Sequence, residues 1–171
     1  VQRHQVGAPA GGGELLDISE IRSAGHTSSG VAKIQDIATY DANGVDVIEA
    51  KRIVNSNISS SGNVGTSVID IYIGASMASP GADIITMTDR IEHQVITTTA
   101  FDLRGNAKEQ EIVKTYYDLG LEIGTDVQVI SNGAFSIHDR TQSSTIKNYE
   151  VTGNTRSFID TQVINYIAYD R

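Results

Sequence analysis

Four histidines and 21 carboxylates are the residues of this chain with the most chemistry to offer. The histidines have no i, i+2 or i, i+4 spacing, so a metal site would have to assemble from distant segments; they are His4, His26, His93 and His138. The carboxylates are scattered, and their spacing does not reveal whether two of them meet across a cleft as acid and base. The chain has no cysteine, which excludes disulfides, zinc–thiolate sites and cysteine nucleophiles. We therefore predict no catalytic residue, no metal site and no cofactor.

The acidic segment from Asp41 to Glu49 has a superficial likeness to a calcium loop. An EF-hand places its glycine at the sixth position and its bidentate glutamate at the twelfth, whereas Gly44 is fourth and Glu49 is ninth. Asp41-Ala-Asn-Gly44 is typical of a hairpin turn, in which asparagine and glycine accept positive φ. We predict a turn here, and a surface calcium ion held by Asp41 and Asp46 stays open as an alternative.

Two serine segments resemble catalytic motifs. Gly74-Ala-Ser-Met-Ala-Ser-Pro80 resembles the nucleophile box of subtilisin-like proteases, which would make Ser76 the nucleophile. A serine nucleophile needs a histidine base and an acid to orient that base, and the companion boxes of that family are absent. Ser144-Thr-Ile-Lys147 matches the Ser-x-x-Lys box of penicillin-binding enzymes without its partner motifs. We interpret the segment from Ala75 to Gly81 as a loop of small residues and predict no enzyme.

The charge balance argues against two classes of partner. The chain has 13 basic and 21 acidic residues, a net charge of −8, and these charges are not grouped in blocks. A sequence-independent grip on nucleic-acid phosphates is therefore not expected. No apolar run approaches the ~20 residues of a membrane-spanning helix, and the N-terminus lacks the layout of a signal peptide. We expect neither a nucleic-acid nor a membrane partner.

Period-two alternation dominates the rest of the chain and predicts antiparallel β-structure. It is clearest at Leu119, Leu121 and Ile123 and again at Val127 and Val129, because alternate side chains point to the same face of a strand. Further strands are predicted by runs of β-branched and alternating residues. These are 31–40 and 45–54, which form a hairpin, then 68–73, 84–87, 91–101, 126–131, 134–138 and a final strand around 163–168. A polar loop is expected over 55–65, and no sequence repeat at a fixed period is evident.

The segment from Ala107 to Leu119 fits two structures. Ile112, Val113, Tyr116 and Leu119 would share one face of a short helix, and a glycine follows as a stop signal. The same segment is rich in β-branched and aromatic residues, which favour a strand. The predicted fold is thus all-β, an antiparallel β-sandwich or jelly-roll-like barrel over 31–171, with helix or strand over 107–119.

The first thirty residues differ from the rest in composition. Glycine-rich or small polar segments, 7–13 and 24–30, flank a short apolar stretch. Its apolar residues need a surface to cover them, so we predict an N-terminal arm over 1–30 that docks on a neighbouring subunit, with a disordered leader as the alternative. The docking residues would be Leu15, Leu16, Ile18 and Ile21.

Two segments resemble units of known virion proteins. Lys51 to Ile73 reads as a strand, a turn of Asn, Ser and Gly, and a second strand; Tyr117 to Ile137 reads as an apolar strand, a glycine-polar turn and a Val-x-Val-x strand. Both are similar to the units of small β-sandwich structural proteins of tailed bacteriophages, and together they cover about a quarter of the chain. The resemblance implies a virion component of the head, neck, collar or tail. It implies copies of itself and other virion proteins as partners, and no catalysis.

Three functions follow as hypotheses. The first is a structural subunit of a symmetric assembly, which agrees with an apolar arm and with sheet faces rich in Ser, Thr and Asn. The second is a ligand-binding β-sandwich, such as a carbohydrate-binding or adhesin module, with Tyr40, Tyr72 or Tyr116 beside carboxylates and amides. The third is an enzyme with dispersed carboxylates, which would need a deep pocket.

Overall fold

A computed structural model describes residues 2–4, 15–44, 46–77 and 85–166 of the chain. These residues form ten strands and no helix. The strands are β1 (Gln2–His4), β2 (Leu15–Ala24), β3 (Ile34–Asp41), β4 (Val47–Ile58), β5 (Val64–Met77), β6 (Ile85–Phe101), β7 (Ala107–Asp118), β8 (Leu121–Asn132), β9 (Ser143–Thr152) and β10 (Thr155–Asn165). The predicted all-β, antiparallel class is confirmed.

The ten strands form one open sheet in which chain order equals spatial order, from β1 at one edge to β10 at the other. Every strand is antiparallel to its neighbours. Extensive contacts between described strands are limited to neighbours in this sheet. The described strands therefore make a single layer, and no second sheet packs on either face within them.

The helix alternative for Ala107 to Leu119 is wrong, because this segment is strand β7. It pairs along one edge with β6 and along the other with β8, so both rows of its backbone groups are hydrogen-bonded to other strands. Ile112, for example, lies between Ile96 and Gln128. The two-sided pairing, together with β-branched and aromatic side chains that suit a pleated surface, outweighs the weak helical periodicity.

Several predicted boundaries also move. The expected polar loop 55–65 is shorter, since β4 continues to Ile58 and β5 begins at Val64. The predicted strands 84–87 and 91–101 are one strand, β6. The predicted strand 134–138 is instead a loop, held by a single bridge between Phe135 and Thr141. The predicted hairpin of 31–40 with 45–54 is confirmed as β3 and β4.

Tight turns set the register of the sheet. At the turn between β3 and β4, the N–H of Gly44 donates to the carbonyl of Asp41 at 3.0 Å, and Gly44 has φ +71°. The turn between β7 and β8 has two residues, Leu119 and Gly120, both at positive φ (49° and 79°). Two positive φ angles define the type I′ turn that matches the twist of antiparallel strands. Leucine is an uncommon residue at such a position, because its Cβ is crowded there.

The chain exposes more surface than a compact protein of the same mass. It exposes 10,864 Å², whereas a compact globular protein of 18.3 kDa exposes about 8,100 Å². Among the described residues the buried apolar side chains are few and small, namely Ala32, Ala38, Ala50 and Val127. A single-layer sheet explains both observations, since each face is covered only by side chains of the sheet itself.

Candidate interaction faces of the sheet

The register sorts the side chains of the sheet into two faces. Cross-strand partners share a face and alternate residues along a strand change face. We name the face that carries Val54, Val68 and Val95 the valine face. The opposite face, which carries Ile53, Ile69 and Ile96, is the isoleucine face.

An unbroken apolar row crosses the valine face. Its members are direct cross-strand partners from β2 to β10: Ala24, Ile34, Val54, Val68, Val95, Val113, Val127, Tyr149 and Phe158. The last two rings meet edge to face, with centroids 5.7 Å apart, a favourable aromatic geometry. Each hairpin thus contributes apolar side chains at the same height of the sheet.

A row of alternating basic and acidic residues lies beside the apolar row on the same face. Across β2 to β6 it reads Arg22, Asp36, Arg52, Asp70 and His93, all cross-strand partners. Arg52 donates from Nε to Asp36 Oδ1 and from Nη2 to Asp36 Oδ2, both at 2.8 Å. Such a bidentate pair is among the stronger hydrogen-bonded pairs in proteins. It is also asymmetric, because Asp36 is only 4% exposed and the Arg52 side chain is 35% exposed.

Asp70 anchors the far end of this row. Its Oδ1 accepts from Arg90 Nη1 at 3.1 Å and lies 2.8 Å from His93 Nδ1. The Arg90 guanidinium also lies 4.3 Å from the ring centroid of Tyr117, which is cation–π geometry. The charges on this part of the valine face are therefore paired within the chain.

The electrostatic environment follows from these pairs. The hydrogen bonds to Asp36 raise the pKa of the Arg52 guanidinium. Burial, followed by the negative charge of Asp70, raises the pKa of the Tyr72 phenol. Both directions favour the protonated side chain, so the Arg52 guanidinium stays charged and the Tyr72 phenol stays neutral over the physiological pH range.

At one end of the valine face, large side chains cover two small ones. Ala38 and Ala50 are direct partners on β3 and β4 and are fully buried. Larger side chains pack around them, among them Tyr40, Tyr72 and Met87. The valine face thus carries its own small core, and it combines this core with internally paired charges.

The isoleucine face has a different pattern. In each of four successive hairpins, two isoleucines are direct cross-strand partners, and each of the last three pairs lies one step further along the strands than the pair before it. We call this diagonal the isoleucine stripe. Its pairs are Ile21 with Ile37, Ile53 with Ile69, Ile96 with Ile112, and Ile130 with Ile146. These side chains are half-buried, apart from Ile21, which is 52% exposed.

Uncharged polar residues border three of these pairs within their own rows. The rows read Gln35, Ile53, Ile69, Gln94; Ser67, Ile96, Ile112, Gln128; and Gln110, Ile130, Ile146, Gln162. Gln128 donates to Asn148 at 3.0 Å, and Gln110 donates to Thr98 at 3.1 Å. These three pairs therefore lie between amide and hydroxyl groups, each of which both donates and accepts, whereas Ile37 of the first pair has Lys51 as its neighbour.

The spacing of the isoleucines in the sequence is a signal for this stripe that the alternation within single strands does not contain. Ile21, Ile37, Ile53 and Ile69 recur every 16 residues, and both Ile96 with Ile112 and Ile130 with Ile146 are also 16 apart. A constant separation of this kind is expected when paired residues lie in hairpins of similar length. Composition and alternation alone did not reveal it, because they do not compare one hairpin with the next.

A shallow groove of about 310 Å³ lies on the isoleucine face beside the stripe. Tyr116, Asp126, Gln128 and Asn148 are among the residues that line it. Burial, followed by the charge of Asp126, raises the pKa of the Tyr116 phenol. Tyr116, one of the three predicted tyrosines, thus lines this groove together with a carboxylate and amides.

The predicted docking residues of the arm are distributed along β2. Leu15 and Leu16 belong to this strand, and their side chains lie outside the described part of the chain. Ile18 lies on the valine face opposite Tyr40, and Ile21 lies on the isoleucine face opposite Ile37. The strand pairs with β3 over eight residue pairs, so this part of the predicted arm belongs to the sheet. Docking of the four residues on another subunit stays a prediction.

The motif-like segments lie in ordinary strands and turns. Ser76 belongs to β5, so the start of the expected small-residue loop is strand, and its remainder, 78–81, falls outside the described residues. At the turn of β3 and β4, Asn43 donates to Asp46 Oδ2 at 3.1 Å. Within the described ranges no three His, Asp or Glu residues are grouped so that they could hold a metal ion. The same ranges contain no helix long and apolar enough to cross a membrane.

Two loops at the same end of the sheet, between β6 and β7 and between β8 and β9, are joined by hydrogen bonds and an ion pair. The loop between β6 and β7 is joined to the loop between β8 and β9 by Arg104, whose Nη1 lies 3.0 Å from Asp139 Oδ1. Asn106 donates to Asp102 at 3.0 Å and to Asp139 at 2.9 Å. The hydrogen bond from Asn106 is the main reason why the pKa of Asp102 is lowered.

These features define an all-β protein with one open antiparallel meander sheet and two chemically distinct faces. Comparison of the chain with protein-family models, with curated proteins and with solved structures finds no match.

Proposed function

We propose that this chain is a non-enzymatic structural subunit of a larger symmetric assembly, a bacteriophage virion component. The observation that carries the proposal is the single-layer sheet. The chain exposes roughly 2,700 Å² more than a compact protein of its mass. Obligate homodimer interfaces bury about 2,000–5,000 Å² in total, so contacts with copies of the chain are of the right size to cover this surface.

The predicted β-sandwich fits the same proposal. Stable domains pack their secondary structure in at least two layers, because a sheet with apolar residues on a face must bury them. We infer that the second layer comes from another copy, so that a sandwich forms between subunits. Sheets that pack in this way lie ~10 Å apart with interdigitated side chains.

The virion assignment itself rests on the resemblance of Lys51–Ile73 and Tyr117–Ile137 to phage structural proteins. Both segments are hairpins of the meander, β4 with β5 and β7 with β8. Other virion proteins would then be the further partners. Electron microscopy of the purified chain tests assembly, and immunogold labelling of phage particles tests the location. Rings, tubes or lattices and labelled particles support the proposal, and isolated monomers with unlabelled particles contradict it.

A second function is favoured by the groove beside Tyr116. An aromatic ring next to Asp126, Gln128 and Asn148 offers both a stacking surface and hydrogen-bonding groups, as a carbohydrate site requires. Glycan titration followed by tryptophan-independent methods, such as calorimetry, tests it, since the chain has no tryptophan. Binding that Tyr116→Ala abolishes would favour this function, and no binding at millimolar glycan would exclude it. The groove borders the isoleucine stripe, so a copy docked there would compete with the ligand.

A further inference from the structure

We propose that the isoleucine stripe is the surface on which a second copy of this chain docks. This inference rests on the proposed function, since it names the face through which the subunits assemble. The stripe is a continuous apolar diagonal on a face that no other described strand covers. Surface patches of this kind, rimmed by polar residues, mark interaction sites.

The two faces differ in how far the chain covers them by itself. On the valine face, Ala38 and Ala50 are fully buried and Val127 is 2% exposed. Long side chains span this face as well, for Arg156 Nη2 lies 2.9 Å from Glu111 Oε2 although two strands, β8 and β9, lie between them. On the isoleucine face, none of the stripe residues is buried. The valine face also leaves apolar side chains open, since Ile34, Val54 and Phe158 are 41%, 36% and 59% exposed. Among the described strand residues, however, the buried apolar side chains all lie on the valine face, so the isoleucine face is the one that the chain covers least.

The chemistry of the stripe favours a copy of the same chain over a charged partner. A face that packs on itself brings each residue near its own kind, so charged groups would repel each other. The last three pairs of the stripe are bordered by Gln35, Gln94, Gln110, Gln128 and Gln162. Ile37 of the first pair is bordered by Lys51, which is paired with Glu49. Two further charged residues of this face, Lys114 and Asp126, lie outside the pairs and are direct cross-strand partners of each other. A primary amide has both donors and an acceptor, so two such rows can hydrogen-bond to each other. Such a border is self-complementary.

The valine face lacks this property. The row from Arg22 to His93 on this face alternates basic and acidic residues. Its two aspartates, Asp36 and Asp70, are already paired with Arg52, Arg90 and His93 of the same chain. A copy that packed there would have to cover these ion pairs, at a desolvation cost that buried pairs often do not recover.

The first pair of the isoleucine stripe contains Ile21, one of the four residues predicted to dock on a neighbouring subunit.

The hairpin of β6 and β7 offers a matched pair of variants. Ile96 faces Ile112 on the isoleucine face, and the adjacent Val95 faces Val113 on the valine face. We compare Ile96→Thr/Ile112→Thr with Val95→Thr/Val113→Thr, since threonine keeps the β-branch and removes apolar area. Sedimentation equilibrium of the full chain measures the dissociation constant, and circular dichroism verifies the sheet.

We expect the isoleucine variant to weaken self-association about 100-fold or more, and the valine variant to keep the wild-type constant within about threefold. If the wild-type chain assembles and the isoleucine variant associates as tightly as wild type, or the valine variant dissociates instead, the docking face is wrong and the proposed function stands. If the wild-type chain is a monomer, the proposed function fails as well.

A second measurement holds even if a threonine variant fails to fold. The chain has no cysteine, so Gln128→Cys and Thr115→Cys place single thiols on the isoleucine face and the valine face, respectively. A bismaleimide linker should join two copies through the cysteine at 128 and leave the variant at 115 as single chains. Equal or reversed yields would overturn the assignment of the face.

Discussion

Removal of Arg52 should cost far more stability than removal of its partner, Asp36. The Asp36 carboxylate is 4% exposed and has Arg52 as its ion-pair partner, whereas the Arg52 side chain is 35% exposed. Arg52→Ala therefore leaves a buried charge without its cation, for which about 3–5 kcal/mol is typical. Asp36→Ala leaves a guanidinium that water can reach, and about 1–2 kcal/mol is expected.

The double variant sharpens this prediction. Once Arg52 is absent, Asp36→Ala removes the stranded carboxylate, so the double variant should be more stable than Arg52→Ala alone. Lys51→Ala is the control on the same strand. Its ion pair with Glu49 has the same 2.8 Å distance but side chains 37% and 40% exposed, so about 0.5 kcal/mol or less is expected.

The assay is urea unfolding followed by circular dichroism, at one protein concentration because association adds to apparent stability. In thermal melts, a loss of 3–5 kcal/mol corresponds to roughly 6–20 °C for a chain of this size. Equal costs for the two single variants, or a double variant less stable than Arg52→Ala, would refute the argument from unequal burial.

Three further predictions concern the turns and loops. Leu119→Asn should stabilise the chain by about 0.5–1 kcal/mol, because asparagine suits a positive-φ turn position that strains leucine; a lower urea midpoint would contradict this. The lowered pKa of Asp102 means that its stabilising contribution is present above its ordinary pKa of about 3.9 and is lost as pH falls through the folded value. Asp102→Asn should thus lower the melting temperature at pH 7 and reduce its fall between pH 5 and 2, and an unchanged acid profile would argue against it. Gly105→Ala, at φ +91°, should cost about 1 kcal/mol in urea unfolding, and a neutral effect would mean that the loop relaxes.

Alternation and runs of β-branched residues predicted β3, β4, β5, β6, β8 and the end of β10, because they follow directly from the pleat of a half-buried sheet. They did not predict β9. Alternation failed where the local pattern of a segment and its pairing with other strands favour different structures. The segment Ala107–Asp118 has a helical spacing of apolar residues, and only its pairing on both edges decides for strand. The loop 134–138 alternates like a strand but pairs only through Phe135. Neither outcome can be deduced from a window of ten residues.

The composition of the two faces could not be predicted from the pattern within any single segment. The buried pair of Asp36 and Arg52 lies 16 residues apart in sequence, and nothing in either segment singles it out. The same separation relates Ile37 to Ile53, so a comparison of successive hairpins would have found the stripe. Whether a second layer exists within one chain depends on long-range packing, which alternation does not report.

The mass of the full chain in solution tests the central claim most directly. Light scattering over a hundredfold range of concentration should give a stable multiple of 18.3 kDa, because the single-layer sheet needs copies of itself to cover its apolar rows. A mass of one chain at every concentration, with the sheet intact by circular dichroism, would contradict the account.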